Sequence, residues 1–145
     1  DEGEELVQYA LSRVQAVKNK QVDASELVLS KSCKGTLNKD GSIDFTKHYA
    51  NPDSMAQVRI ARALIKKGLG FTPGMKVAYI VSDASNRPMN VEPWLEGEEN
   101  GGISGYDEIF YAERTAAAIG RITEAFGWSA KELVAGNRQT SLFSF

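Results

Sequence analysis

The chain has 145 residues, of which 42% are apolar and 25% charged, with a formal net charge of −2. That length suits one domain or a pair of small lobes, and the apolar share excludes a wholly disordered, collagen-like or low-complexity chain. The single Cys33 excludes an internal disulfide framework and points to a reducing, cytoplasmic setting; no apolar run approaches the roughly 20 residues of a membrane helix, and no signal peptide is visible.

The chain opens Asp1-Glu2-Gly3 without a methionine, which suggests a fragment or a processed product. Val7, Ala10, Leu11, Val14 and Val17 recur at helical spacing and predict a helix over 4–19, with acidic residues at its start and Lys18 and Lys20 at its end to suit the helix dipole. Residues 26–30 read as a short strand. Residues 35–52, punctuated by Gly, Asn and Pro, predict a loop with a hairpin turn at Asp40-Gly41. Asp53 is then the expected N-cap of a helix running to Lys67, with Gly68 ending it. Thr72-Pro73-Gly74 makes a turn into a strand over 76–82. Residues 83–105 contain Pro88, Pro93, Gly97, Gly101, Gly102 and Gly105 and predict a long exposed loop. Asp107 is the expected cap of a long helix with a stripe at Ile109, Ala112, Ala116, Ile119, Thr123 and Phe126, ended by Gly127. Ser129 and Glu132 form a capping box for one more short helix. The fold class is α+β, mainly helical with a few short strands.

Charge is segregated along the chain. Residues 31–76 carry nine basic groups against three acidic ones, and residues 83–108 carry one against seven. On the helix over 53–67, Arg59, Arg62 and Lys66 fall within a narrow arc at about 100° per residue, and Val58, Ile60, Ala61, Leu64 and Ile65 occupy the other side. The expected result is a cationic ridge with no acidic partner at i±4, fed by Lys31, Lys34, Lys39 and Lys47 from the preceding segment and by Lys67 at the helix end. A face of one sign fits a polyanion better than it fits a solvated surface, which mixes both signs.

Catalytic residues are scarce. His48 is the only histidine and has no carboxylate paired with it in sequence, so it reads as surface. Cys33 alone makes no metal site, and as a nucleophile it needs His48, fifteen positions later. No Asp-x-Asp pair exists to hold two metal ions for phosphoryl transfer. The glycines at 101–105 precede a helix, but Glu92, Glu96, Glu98 and Glu99 come before them and repel phosphate. No catalytic and no metal-binding residue is therefore assigned.

The last seven residues, Gln139-Thr140-Ser141-Leu142-Phe143-Ser144-Phe145, place a glutamine, an aliphatic three on and an aromatic three further on. This spacing matches the peptide that docks on DNA sliding clamps. One turn puts Leu142 and Phe145 on the same side as an apolar plug, with Gln139 beside it for hydrogen bonding. The usual motif ends in two aromatics, and Phe143 is the candidate second ring. The competing reading is a tail folded onto its own core.

Taken together, these segments resemble the C-terminal thumb of a family-B DNA polymerase of the archaeal type. The run from Gln57 to Gly68 is similar to the family's helix of the form His-Val-x-x-Ala-[Lys/Arg]-x-Leu-x-x-[Lys/Arg]-Gly. Residues 26–31 resemble its strand from palm into thumb, and Pro73-Gly74 with Val77-Ala78-Tyr79-Ile80-Val81 its Pro-Gly and Tyr-[Ile/Val]-[Ile/Val] strand. Tyr106-Asp107, Tyr111, Glu113, Arg121-Ile122 and Glu124-Ala125-Phe126-Gly127 resemble its long terminal helix. The sequence departs from the pattern at Lys34-Gly35, where the family often has Thr-Arg; Lys34 is the substitute for that phosphate contact. It departs again at Ala56-Gln57-Val58, where Pro-His-Val is usual, and in the longer, more acidic 83–105 segment.

The resemblance implies a thumb that grips primer–template duplex DNA through backbone and minor groove, independently of sequence. It implies a division into a palm-to-thumb connector at 1–30, the thumb at 31–136 and a clamp-docking tail at 137–145. Lys31, Lys34, Lys39, Lys47, Arg59, Arg62, Lys66 and Lys67 become the DNA-binding residues, and Gln139, Leu142, Phe143 and Phe145 the residues for a sliding clamp of the PCNA type. The family's palm and fingers, whose carboxylates hold magnesium, lie upstream and are absent here. The chain is therefore expected to be inactive alone, with no cofactor of its own. Its expected place is nucleoid-associated, beside a palm-bearing portion or large subunit. An adaptor that binds DNA and a clamp without being part of an enzyme is the alternative. It predicts that residues 1–30 satisfy themselves rather than leaving one face for a palm.

Overall fold

The computed structural model describes residues 1–138, and their elements make an α+β fold. In chain order these are α1 (Glu2–Lys18), β1 (Leu29–Ser32), β2 (Thr36–Leu37), β3 (Ile43–Asp44), α2 (Ala56–Lys66), β4 (Lys76–Asp83), β5 (Asn90–Pro93), α3 (Glu108–Thr123) and α4 (Ala130–Ala135). Short 3-10 turns stand at Ala24–Leu27, Pro52–Ser54, Glu99–Gly102 and Glu124–Phe126. None of the described helices is long and apolar enough to cross a membrane. The described residues form two compact units, one from 1–23 with 108–138, the other from Ala24–Asp107.

The first unit is helical. Asp1 caps α1 by accepting the Glu4 N–H at 2.7 Å, and the stripe Val7, Ala10, Val14 and Val17 is buried as its periodicity predicts. α1 packs on α3 and α4. The capping box of α4 is present, with Ser129 N–H 2.9 Å from Glu132 Oε1 and Glu132 N–H 3.2 Å from Ser129 Oγ. The other end of this six-residue helix is closed from α1: Gln15 Nε2 donates to the carbonyls of Leu133 and Val134, and Lys18 Nζ donates to that of Val134. Carbonyls that a short helix leaves orphaned are thus satisfied by side chains far away in sequence.

The buried stripe of α3 is not the one its large apolar residues suggest. Tyr111, Ala112, Ala116, Gly120 and Thr123 are inside, whereas Ile109 and Phe126 are 44% and 49% exposed. Small residues at 112, 116 and 120 form one i, i+4 row, and a Cβ added at Gly120 would stand 3.1 Å from Ala130 Cβ. Close approach of α4 selects this row over the bulkier side chains.

The second unit holds a three-stranded antiparallel sheet in the order β1-β4-β5, and a β2-β3 hairpin. The central strand β4 buries Val77, Tyr79, Ile80 and Val81, and α2 packs on β4 and β5. Beneath the hairpin lies a cluster of Cys33, Phe45, Val58 and Ala61, with Ile43, Tyr49, Met55 and Phe71 against it. The hairpin at Asp40-Gly41 is present as predicted, with Asn38 N–H bonded to the Ser42 carbonyl at 2.8 Å. So is the end of α2, where Gly68 takes a left-handed φ of 76° and Leu69 N–H reaches back to the Leu64 carbonyl at 2.9 Å.

Three expectations are corrected here. The strand predicted over 26–30 begins only at Leu29, because Ala24-Ser25-Glu26-Leu27, without a β-branched residue, closes a 3-10 turn instead. The 83–105 segment is not a structureless loop. It supplies β5, an edge strand, where Pro93 is tolerated because no further strand needs its missing N–H. It then turns back over Trp94, whose indole lies where a Cβ on Gly101 would fall, 2.2 Å away. Finally, Asp53 does not cap α2. Pro52–Ser54 forms its own turn, and Met55 occupies the cap position with no side-chain bond.

Candidate nucleic-acid interface

All eight candidate DNA-binding residues lie in the second unit. Lys31 is on the edge strand β1, paired with Val77 of β4. Lys34 follows that strand, its N–H donating to the Tyr49 hydroxyl at 3.0 Å. Lys39 is in the hairpin turn, Lys47 just beyond β3, and Arg59, Arg62, Lys66 and Lys67 are on α2 or at its end. Lys31, Lys34, Lys39, Lys47, Lys66 and Lys67 are exposed, and among the described residues their ammonium groups form no ion pair. Lys47 stands close enough to Asp44 to help hold that carboxyl down.

The ridge on α2 is not the unpaired one its spacing predicts. Arg62 Nη1 is 2.5 Å from Asp53 Oδ1, and both side chains are exposed. A carboxylate nine residues back, outside the helix, supplies the partner that i±4 spacing does not. Arg59 is half-buried and donates Nη1 to the Met89 carbonyl, thirty residues on. Arg59 therefore fastens α2 to the segment before β5, and among the described residues Lys66 is the one member of the three-residue ridge whose side chain forms neither an ion pair nor a hydrogen bond. Ile65, placed on the apolar side by its spacing, is 45% exposed.

Between the hairpin and α2 runs an open groove of about 560 Å³. Leu37, Ile43, Phe45, Ile65, Leu69 and Phe71 supply its apolar lining, and Arg62 and Lys66 its cations. Phe45 and Phe71 lie with ring centroids 6.0 Å apart, and the Arg62 guanidinium sits 5.5 Å from the Phe45 centroid. Spacing along α2 places Ile65 on its apolar side, but nothing in the sequence brings Leu37 of the hairpin and Leu69 beyond the helix to the same surface.

The unit as a whole is charge-neutral, with ten basic and ten acidic residues, so its cationic character belongs to the 31–76 stretch alone. Several carboxylates are tied into local turns. Asp40 accepts from the Ser42 hydroxyl and N–H, Asp44 from the Thr46 hydroxyl and N–H, and Asp83 from the Ser85 hydroxyl and N–H and from Asn86. These bonds, the hydroxyl ones foremost, hold all three carboxyls below the usual carboxylate range.

Among the described residues, Cys33 and His48 do not come together as a nucleophile and its base: Cys33 bonds to the Lys34 carbonyl and His48 to the Thr36 hydroxyl. Cys33 is buried in the hairpin cluster. Burial pushes its thiol up, against the opposing influence of the Tyr49 hydrogen bond and the Arg62 charge, which disfavours the nucleophilic thiolate. His48 is exposed and its Nε2 lies 2.9 Å from Thr36 Oγ1. Among the described residues no three His, Cys, Asp or Glu side chains converge on a point that could hold a metal ion. Gln139, Leu142, Phe143 and Phe145 lie outside the described residues. Compared with models of known protein families and with curated proteins, the chain matches none.

Proposed function

We propose that this chain is the thumb portion of a DNA-directed DNA polymerase, gripping primer–template duplex behind an active site carried by another portion or subunit. The observation that carries the reading is the set of six exposed lysines at 31, 34, 39, 47, 66 and 67, which form no ion pair among the described residues. Flexible ammonium groups of this kind neutralise phosphates without reading bases, so the grip is independent of sequence and weakens as salt rises. Its contribution to catalysis is to hold the primer end in line for attack on the incoming nucleotide. Magnesium belongs to the carboxylates of the palm in this reading, and this chain supplies none of its ligands. The tail, through Gln139, Leu142 and Phe145 with Phe143 assisting, tethers the assembly to a sliding clamp and so raises its effective concentration at DNA.

A second reading, a non-catalytic adaptor for DNA and clamp, is favoured by one specific observation. The stripe Val7, Ala10, Val14 and Val17 of α1 is already covered within its own unit, where α1 packs on α3 and α4, so this stripe is not what a palm would cover, although Tyr9 on the same helix is exposed. Primer extension separates the two. Alone, the chain is expected to add no nucleotide. With a palm-and-fingers chain of a family-B polymerase it is expected to restore processive extension, and the Leu142→Ala, Phe145→Ala variant to lose only the clamp's stimulation. Clamp and DNA binding with no effect on extension by any palm-bearing chain would establish the adaptor instead.

A further inference from the structure

The groove between hairpin and α2 has a second set of properties that contact with DNA does not use. Four large apolar side chains of the second unit are exposed among its described residues, Leu37, Ile65, Leu69 and Met75, and the first three line this one groove. Leu37 is 64% exposed, an unusual position for a leucine on a two-residue strand. Apolar surface concentrated in this way marks a docking site more often than scattered single residues do. Phosphate gains nothing against leucine and isoleucine, and stacking of a base needs an open ring face. The Phe45 ring is only 4% exposed and carries the Arg62 guanidinium at 5.5 Å.

Charge decides which occupant fits. Arg62 and Lys66 line the groove, Lys39 stands in the hairpin turn whose Gly41 and Ser42 also line it, and among the described residues no carboxylate is part of the lining. Two exposed carboxylates are bonded to lining residues, Asp40 to Ser42 and Asp53 to Arg62; the second pair leaves Lys66 and Lys39 as the cations that form no ion pair among the described residues. We propose that this groove binds an acidic amphipathic peptide segment of a partner protein, whose large apolar side chains seat on Leu37, Ile65 and Leu69 while its carboxylates meet Lys66 and Lys39. The mode is that of an apolar helix face laid into a groove with a cationic rim. This inference stands on the groove alone and holds whether or not the chain serves a polymerase.

The test uses the full chain and three probes: a 14-residue helical peptide with leucines at i, i+3, i+4 and i+7 and glutamates elsewhere, the same peptide with lysines for glutamates, and a short DNA duplex. Amide chemical shifts locate each probe, and fluorescence anisotropy gives its affinity. The glutamate peptide is expected to shift Leu37, Ile43, Ile65 and Leu69 and to bind at least tenfold more tightly than the lysine peptide. Ile65→Ser with Leu69→Ser is expected to weaken it at least tenfold, and Lys66→Glu severalfold. Leu37→Ser, on the hairpin rather than the helix, repeats the test should the double variant lose its fold. No binding of the glutamate peptide, equal binding of the lysine peptide, shifts at the groove from the duplex alone, or unaltered affinity in the folded serine variants would each overturn the proposal.

Discussion

Arg62 on α2 and Asp53 in the preceding turn form an exposed ion pair at 2.5 Å, so the residue at the centre of the expected cationic ridge is already neutralised in the free protein. A surface pair of this kind is weak and yields to a phosphate that offers better geometry. It nevertheless competes with DNA. Asp53→Asn is therefore expected to raise affinity for duplex DNA about three- to tenfold at low salt and to steepen the salt dependence by about one ion equivalent. Because Asp53 caps no helix, the melting temperature should hardly move. Anisotropy titrations over a salt series check this, and an unchanged or lower affinity would show that Arg62 does not face the DNA.

Arg59 should behave in the opposite way. Its guanidinium donates to the Met89 carbonyl from a half-buried position, so its expected contribution is to stability rather than to DNA binding. Arg59→Ala is expected to destabilise the protein by about 1–3 kcal/mol, the penalty for leaving such a carbonyl unsatisfied, and to leave the salt slope of DNA binding intact. Thermal or urea unfolding measures the first effect and anisotropy the second. A flattened slope with unaltered stability would return Arg59 to the DNA-contacting set.

Acidification should loosen the β2-β3 hairpin. Asp40 and Asp44 are held below the ordinary carboxylate range by hydrogen bonds, chiefly from the hydroxyls of Ser42 and Thr46 and then from their N–H groups. A carboxyl whose folded pKa is depressed adds stability that is fully present above its unfolded pKa and is lost as pH falls through the folded value. The hairpin should hold at neutral pH and weaken below about pH 4. Carboxyl-carbon titration by NMR is the measurement. Ser42→Ala should bring the Asp40 midpoint back toward the ordinary range and leave that of Asp44 in place; an Asp40 midpoint that stays put would mean its depression has another cause.

Features that depend on neighbours in sequence were legible in advance. The apolar run at 77–81, the capping box of Ser129 and Glu132, the turn at Asp40-Gly41 and the helix end at Gly68 each depend on residues a few positions apart. What escaped reading depends on tertiary partners. Asp53 has the chemistry of a cap and of an ion-pair partner, and only the approach of Arg62 selects the second. The burial of α3 is governed by what α1 and α4 bring against it, which favours Ala112, Ala116 and Gly120 over Ile109 and Phe126. The partner of Arg59 is a backbone carbonyl, which no side-chain pattern announces. The lysines at the candidate site are visible in the charge distribution along the chain, whereas the groove beside them exists only once the hairpin and α2 are brought together.

In the proposed function, the cations of residues 31–67 hold duplex DNA through its phosphates. The most direct measurement of this grip is the salt dependence of binding of one duplex sequence and a scrambled one, compared between the unaltered chain and the variant with Lys31, Lys34, Lys39 and Lys47 all changed to Ala. At about 0.9 ion equivalents per phosphate contact, the four replacements should flatten the slope by up to about three to four and weaken both sequences equally. Four exposed side chains at edges and turns should be lost without unfolding, which circular dichroism verifies. An unchanged slope in the folded quadruple variant, or a loss confined to one of the two sequences, would contradict the account.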